Sequence, residues 1–536
     1  MRHWRGLMGI TAVVAGAAMV PGTGCVFGVD YSDCAEYPGA ACGGGSGGSG
    51  GEEPPDPCEA DPREDPGAVS EACGVFAQAG AAEGGEGTRQ RPYGSLQEAI
   101  ERAAAEGKRV YACAEGEAAF SESVKVEAGL EVIGSFACAG WTLQEGKKSA
   151  IAGPADQVAL TIGEGAAGAR VEGFAIRAAD AKQAGGSSIG VVVAAVEAEL
   201  AEMTVTAGHG MDGARGTTPG EAPAAGASAE AGSASNACVA DNAVLGGAGG
   251  VTSCEDGETA GGSGGLGGIT ETDEGNGQVG ADGGPVPEEN PESYGLGGRG
   301  QTDAAGTCRR GEDGAPGAAG PAGTGGTGAT LALTGLSGGD GAAGSTGGRG
   351  QGGGGGGGAK AGMFCPVGQD IVAGVGASGG GGGAGGCGGK GGGGGQAGGS
   401  SVGIVSLGNR LKLTGMTIAV GKAGNGGAGA AGQNGATGGS GATGGAASST
   451  PPSKAGCDGG KGGAGGPGGA GGGGRGGYAL GLAYAEAPSE APAVQFAAGT
   501  PGTGGDAGPG GALEHAGAPG GEGSCWDFAM QSPCGG

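Results

Sequence analysis

Aromatic side chains are scarce in this sequence: its 536 residues include 8 Phe, 3 Trp and 7 Tyr. Large rings supply much of the buried area of ordinary cores. A string of conventional domains, which the length alone would suggest, is therefore excluded. Histidine is scarcer still. Only His209 and His515 lie beyond residue 24, which leaves little for general acid–base chemistry. Positive charge is also short. Against 55 Asp and Glu stand 27 Lys and Arg, a formal net charge of −28 that repels nucleic acid and anionic lipid. No CxxC pair occurs, so zinc lacks its usual ligand spacing. No GxxxxGK[ST] phosphate loop occurs either, because Lys390 and Lys461 are each followed by Gly. Beyond the N-terminus, no run of apolar residues is long enough to span a bilayer.

What the chain has instead is glycine, 150 residues of it. Glycine buries no side chain and loses the most backbone entropy on ordering. The first 24 residues read as a signal peptide: Arg2 and Arg5 precede an apolar stretch from Leu7 to Val20. Pro21-Gly22-Thr23-Gly24-Cys25 then places small residues before a cysteine, so Cys25 is the expected lipidation site of a bacterial lipoprotein. Ordinary secretion is the alternative. Of 15 cysteines, 14 remain once Cys25 is lipidated, an even number that suits an oxidising compartment. The expected pairs are Cys34/Cys42, Cys58/Cys73, Cys113/Cys138, Cys238/Cys254, Cys365/Cys387 and Cys525/Cys534.

Residues 25–86 read as a flexible tether, with Gly/Ser repeats followed by Glu52-Glu53-Pro54-Pro55. Ser95-Leu96-Gln97-Glu98 is a capping box that predicts a helix to about Glu106, apolar along Leu96, Ala99, Ile100 and Ala103, and ended by Gly107. Short β-type runs follow at 110–113, 124–126, 130–133, 158–162 and 171–176. Residues 187–213 then align without a gap to 400–426 and to 478–504. Ile189-Gly190-Val191 matches Val402-Gly403-Ile404 and Leu480-Gly481-Leu482. Met203/Val205 matches Met416/Ile418 and Val494/Phe496, and a looser copy carries Leu160/Ile162 and Phe174/Ile176. Apolar residues at i and i+2 share one strand face. The chain is therefore expected to be all-β: a parallel β-helix, or solenoid, capped at its start by the helix. Its parts would be 87–207, a coil at 400–421 and a coil at 478–499.

Between these parts lie Gly-rich insertions at 208–399 and 422–477, and a Gly-rich tail at 500–536. Every third residue is Gly over 335–356, 376–394, 426–444 and 459–477, with shorter runs at 311–326 and 499–511. A period of three fits a polyglycine-II-type helix, whose inward residue must be Gly when chains lie side by side. Flexible loops are the other reading. Collagen is disfavoured by the 26 prolines and by cysteines breaking the runs.

The stretch Gly87-Thr88-Arg89-Gln90-Arg91-Pro92-Tyr93-Gly94-Ser95-Leu96-Gln97-Glu98-Ala99-Ile100 resembles the start of pectate-lyase-like right-handed β-helix domains. The Gly-Gly-x tracts resemble the PGRS repeats of mycobacterial PE-PGRS proteins, although the PE region is absent. The combination with a lipoprotein signal is similar to myxobacterial surface proteins. The resemblance implies a β-helix that in some families degrades polysaccharide. Gly208-His209-Gly210 resembles a polygalacturonase motif, but the companion Asn-Thr-Asp, Asp-Asp and Arg-Ile-Lys motifs do not occur, and the repeat places Lys422 and Thr500 at the His209 position. Glu197, Glu199 and Glu202 read as a solvated face. Asp212, Asp241, Asp313 and Asp340 could serve calcium, but no calcium-binding nonapeptide repeat supports it. No catalytic residue, cofactor or metal is expected. The function expected is a non-enzymatic, secreted or surface-anchored lipoprotein that builds a structural or adhesive envelope scaffold. A carbohydrate-binding or polysaccharide-degrading β-helix protein is the alternative. The partners would be the membrane, through the lipid on Cys25, and a surface polysaccharide or protein.

Overall fold

The computed structural model describes residues 58–233, 244–447, 453–488 and 492–534. Cys25, Cys34, Cys42, Cys238 and Asp241 lie outside them. The regular secondary structure of the described chain is mostly strand, with a single α-helix, Leu96–Glu106. Ser95 caps that helix, its Oγ accepting from the Glu98 amide, and Gly107 ends it in the left-handed conformation at φ 64°. Glu122, 27 residues on, completes the cap, accepting from Ser95 Oγ at 2.7 Å and from the Leu96 amide at 2.6 Å. Leu96, Ala99, Ile100 and Ala103 are buried in the main core beside Val75, Val110 and Val124, residues of the first strands.

Three parallel sheets form the body. The first contains Gly74–Gln78, Arg109–Cys113, Glu131–Phe136, Ala169–Glu172, Ala198–Ala201 and Leu411–Thr414. The second contains Ser149–Gly153, Phe174–Ala178, Thr204–Ala207, Thr417–Val420 and Gln495–Ala497. The third runs from Val124–Val126 through Leu160–Ile162, Ser188–Val193, Ser401–Ser406 and Ala479–Tyr484 to Glu522–Asp527, where the antiparallel strand Ser532–Pro533 closes it. From Ser188 the chain visits the third, first and second sheets in turn. It leaves after Ala207 and re-enters the third sheet at Ser401.

The internal repeat sets the register. Ser188 pairs with Ser401 and Ser401 with Ala479 in the third sheet. Thr204 pairs with Thr417 and Thr417 with Gln495 in the second. Those are the partners that the sequence alignment assigns. In the looser copy Ile176 meets Val205 as expected, but Leu160 meets Val191 rather than Ile189. The slip is two residues, so the same side chains stay inward.

One expectation about faces is corrected. Val191, Ile404 and Leu482 enter the main core. Ile189, Val402 and Leu480 belong to a second cluster, with Val192, Leu336 and Tyr478. The strand pairing skips Gly190 and Gly403, which reverses the alternation there. A Cβ on Gly190 would lie 2.3 Å from Val205 Cγ1, and one on Gly403 2.3 Å from Ile418 Cγ2. The repeated glycine thus makes room for an apolar residue of the second sheet.

The boundaries also change. Residues 58–86, expected in the tether, are folded: Cys58 is bonded to Cys73, and Gly74–Gln78 is the first strand of the first sheet. Residues 500–536, expected as a tail, supply the strand Glu522–Asp527 and the Cys525–Cys534 bond. Three antiparallel hairpins interrupt the insertion at 208–399: Val251–Cys254 with Gly257–Ala260, Ala329–Ala332 with Gly335–Gly338, and Gly362–Val367 with Asp370–Gly374. Gly335–Gly338 is therefore strand rather than the start of a triplet run. The loop of the first hairpin is Glu255-Asp256, and Gly257, which opens the return strand, has φ 124°.

The rest of the insertions is extended chain, hydrogen-bonded from segment to segment. Along 353–358 the amides donate in rotation to three neighbours. Gly353, Gly354 and Gly355 donate to the carbonyls of Gly383, Glu312 and Ala281, then Gly356, Gly357 and Gly358 to those of Gly380, Arg309 and Gln278, all at 2.8 to 3.0 Å. The carbonyls of 353–358 accept in the same rotation from Gly262, Gly460 and Gly298, then Gly265, Cys457 and Gln301. Six neighbours surround this segment, so no face of it is free for a side chain. A Cβ on Gly353, Gly354 or Gly355 would lie 2.3, 2.0 or 2.0 Å from a carbonyl oxygen.

Glycine frequency tracks enclosure. Residues 352–358 are all Gly and all buried. In 459–469 two residues in three are Gly, and the third positions, Lys461, Ala464 and Pro467, are exposed. In 311–323 the pattern thins to one in three, and Glu312, Asp313, Pro316 and Ala318 are exposed.

Candidate functional site

His209 sits just past the second-sheet strand Thr204–Ala207. Its amide donates to Asp180 Oδ1 at 2.7 Å, and its Nδ1 accepts from the Lys422 amide at 2.9 Å. Three residues on, Asp212 Oδ1 accepts from the Asn425 amide at 2.6 Å, and Asn425 Oδ1 accepts from both the amide and hydroxyl of Thr503 at 3.0 Å. These are equivalent positions of the three repeats, tying one copy to the next. Ser188 and Ser401 close the exit corner within their own copies, accepting from the amides of Gly208 and Gly421, and Ser401 Oγ also donates across copies to the Gly208 carbonyl at 2.7 Å.

Glu199, Asp313 and Asp340 are likewise engaged, whereas Glu197 is exposed and the Glu202 carboxylate makes no ion pair among the described residues. Glu199 pairs with Lys412 at 3.1 Å. It stands in a cross-strand row with Glu131, Arg170 and Lys412, where Arg109 meets Glu131 at 2.6 Å. Opposite charges alternate along that face of the first sheet. Asp313 accepts from the Lys461 amide and Asp340 from the Ala397 amide. Among the described residues no cluster of three metal-ligating side chains occurs. His515 neighbours Glu514 at 3.7 Å.

The disulfides correct the sequence pairing. Cys58–Cys73, Cys113–Cys138 and Cys525–Cys534 form as expected. Cys254 joins Cys387, 133 residues away, rather than Cys238, and Cys308 joins Cys457 across 149 residues. Cys365 is disulfide-bonded, but not to Cys387. Proximity in sequence governs pairing in the sheet body. In the glycine-rich region the neighbours are segments remote in sequence, so near-sequence guesses fail there.

Sequence reasoning missed a cleft of about 740 Å³, lined by Arg63, Ser135, Gln144, Lys148, Glu172 and Glu202 among others. The Cys58–Cys73 segment forms one wall, and the turns leaving the first sheet form another. Glu172 is buried and held by Arg63 at 3.1 Å and Arg170 at 2.7 Å. Lys148 Nζ donates to the Glu202 carbonyl at 2.9 Å. Burial lowers the Lys148 pKa, and the Glu202 charge only partly opposes this. Three non-glycine residues at this cleft have positive φ: Ser135 at 67°, Trp141 at 54° and Glu202 at 49°. For a residue as bulky as Trp that conformation is strained. Trp141 is fixed by edge contact with Phe76 at 4.7 Å between ring centroids and by its Nε1, which donates to the Arg89 carbonyl at 3.2 Å. The only legible sequence sign of the site was the Lys147-Lys148 pair in a chain poor in positive charge.

No protein-family model, curated protein or solved structure matches this chain.

Proposed function

We infer that the chain is a non-enzymatic surface lipoprotein whose parallel sheets wind as a right-handed β-helix. Its insertions form a polyglycine-II-type bundle, and the whole acts as a structural or adhesive scaffold of the cell envelope. The observation that carries this reading is the enclosed segment 353–358, hydrogen-bonded to six neighbours. A chain that commits so much of its length to a packed glycine bundle, clipped by the Cys254–Cys387 and Cys308–Cys457 bonds, gains stiffness rather than a reactive pocket. The engagement of His209, Asp212, Glu199, Asp313 and Asp340 in backbone hydrogen bonds and ion pairs supports the same reading.

Native-protein mass spectrometry tests the anchor: diacylglycerol on Cys25 is expected. Protease shaving of intact cells tests the location, with release of bundle peptides expected. An unmodified Cys25 together with full protection from shaving would overturn the reading. The alternative of a polysaccharide-directed protein draws support only from the cleft at Lys148, and incubation of the full chain with a polysaccharide panel decides between them.

A further inference from the structure

Lys148 presents an unusual charge problem. The chain holds 55 Asp and Glu against 27 Lys and Arg, so almost any basic residue could find a carboxylate. Lys148 is half-buried, yet its one hydrogen-bond acceptor is a backbone carbonyl, that of Glu202. Among the described residues no carboxylate forms an ion pair with it. An ammonium offers three donors, of which Lys148 uses one, and the nearby Glu202 charge offsets only part of the cost of its burial. Glu172 does not supply that charge, because Arg63 and Arg170 already neutralise it.

The surroundings are built rather than incidental. The wall carrying Lys147 and Lys148 is pinned by Ser135, whose Oγ donates to the Lys147 carbonyl at 2.6 Å. Ser135, Trp141 and Glu202 are all held in left-handed backbone conformations at the same cleft. The aromatic cluster of Phe76, Tyr111, Phe136 and Trp141 supports it from below. A space of about 740 Å³ is in the range that holds a small organic ligand.

We propose that this cleft binds an oxyanion, a carboxylate or a phosphate carried by a sugar-sized ligand, with Lys148 as the cation that receives it. Lys147 and Gln144 line the same opening and supply further donors, beside the carboxylates of Glu145 and Glu202. The inference stands apart from the lipid anchor and would hold for a secreted chain equally.

The test is calorimetric titration of the full, oxidised chain with glucuronate, inorganic phosphate and glucose. Glucuronate, phosphate or both should bind, and glucose should not. Lys148→Met should weaken anion binding roughly ten- to hundredfold, as loss of a charge-assisted hydrogen bond implies. Lys148→Arg should retain it, and both variants should keep the circular dichroism of the parent. Tighter binding of glucuronate assigns a carboxylated sugar, and tighter binding of phosphate a phosphorylated ligand. Equal binding of glucose and glucuronate, unchanged anion affinity in Lys148→Met, or no heat from any probe would overturn the proposal.

Discussion

The Nδ1 of His209 accepts a hydrogen bond at 2.9 Å from the backbone amide of Lys422, a residue 213 positions later and its own counterpart in the next repeat. One nitrogen of the His209 ring thus tethers one turn of the chain to the next. His209→Asn, whose side-chain oxygen can take the same amide, should be tolerated. His209→Ala should cost on the order of 1 kcal/mol. Chemical denaturation checks both, and a larger loss in Asn than in Ala would contradict the assigned role.

The glycine bundle makes a sharper prediction. A Cβ on Gly355 would lie 2.0 Å from the Ser263 carbonyl oxygen, whereas one on Gly220 meets nothing within 4 Å. Gly355→Ala should therefore destabilise by about 1–3 kcal/mol or more, because a backbone neighbour must move. Gly220→Ala should be neutral or stabilising by up to about 1 kcal/mol through the unfolded state. Thermal unfolding of the two variants side by side tests this, and similar behaviour would mean that segment 353–358 is not enclosed.

Two disulfides close long loops in the bundle. Cys308–Cys457 spans 149 residues and Cys254–Cys387 spans 133. Replacing both cysteines of one bond by Ser should cost about 4–5 kcal/mol on the chain-entropy account. Hydrogen exchange should show the loss concentrated in the glycine-rich segments, with the sheet amides around Val191 and Ile404 still protected. Uniform loss across both regions would contradict a separately clipped bundle.

Asp527 sets an acid limit for the C-terminal hairpin. Burial alone would raise its pKa, but the amides of Met530, Ala487 and Ala529 together hold it below the ordinary 3.8. A carboxyl whose folded pKa is depressed adds stability above its unfolded value and loses it as pH falls through the folded one. Protection of the hairpin should therefore decline from about pH 4 downward. Asp527→Asn should flatten that decline while lowering protection at neutral pH, as pH-dependent hydrogen exchange would show.

Much of the sheet body was legible because its determinants are local or repeated. Ser95 and Gly107 mark the helix ends without help from distant residues. The alignment of Ile189, Val402 and Leu480 gave the strand partners, since stacked copies of one sequence bury their apolar residues best in register. The same alignment placed Ile189 and Val191 on one face, and failed, because it could not show that pairing skips Gly190. The strand Gly74–Gln78 was missed for another reason: five residues with no repeat partner carry too little pattern to stand out from a tether. Beyond the Lys147-Lys148 pair the cleft left no sign in the sequence, because Arg63, Lys148, Glu172 and Glu202 come from separate segments.

The sequence by itself determined that glycine recurs every third residue, and hence that some neighbour must exclude a side chain on one face of each run. It also determined the order of strands in the repeats, because period-two apolar patterns act locally. Only the tertiary structure decided which segments are neighbours. Glycine matches glycine equally well anywhere along such a run, in parallel or antiparallel, so composition cannot choose among partners. That choice fell to Cys254 with Cys387 and Cys308 with Cys457, and to the strands at each end of an insertion, which fix where the chain leaves and where it returns.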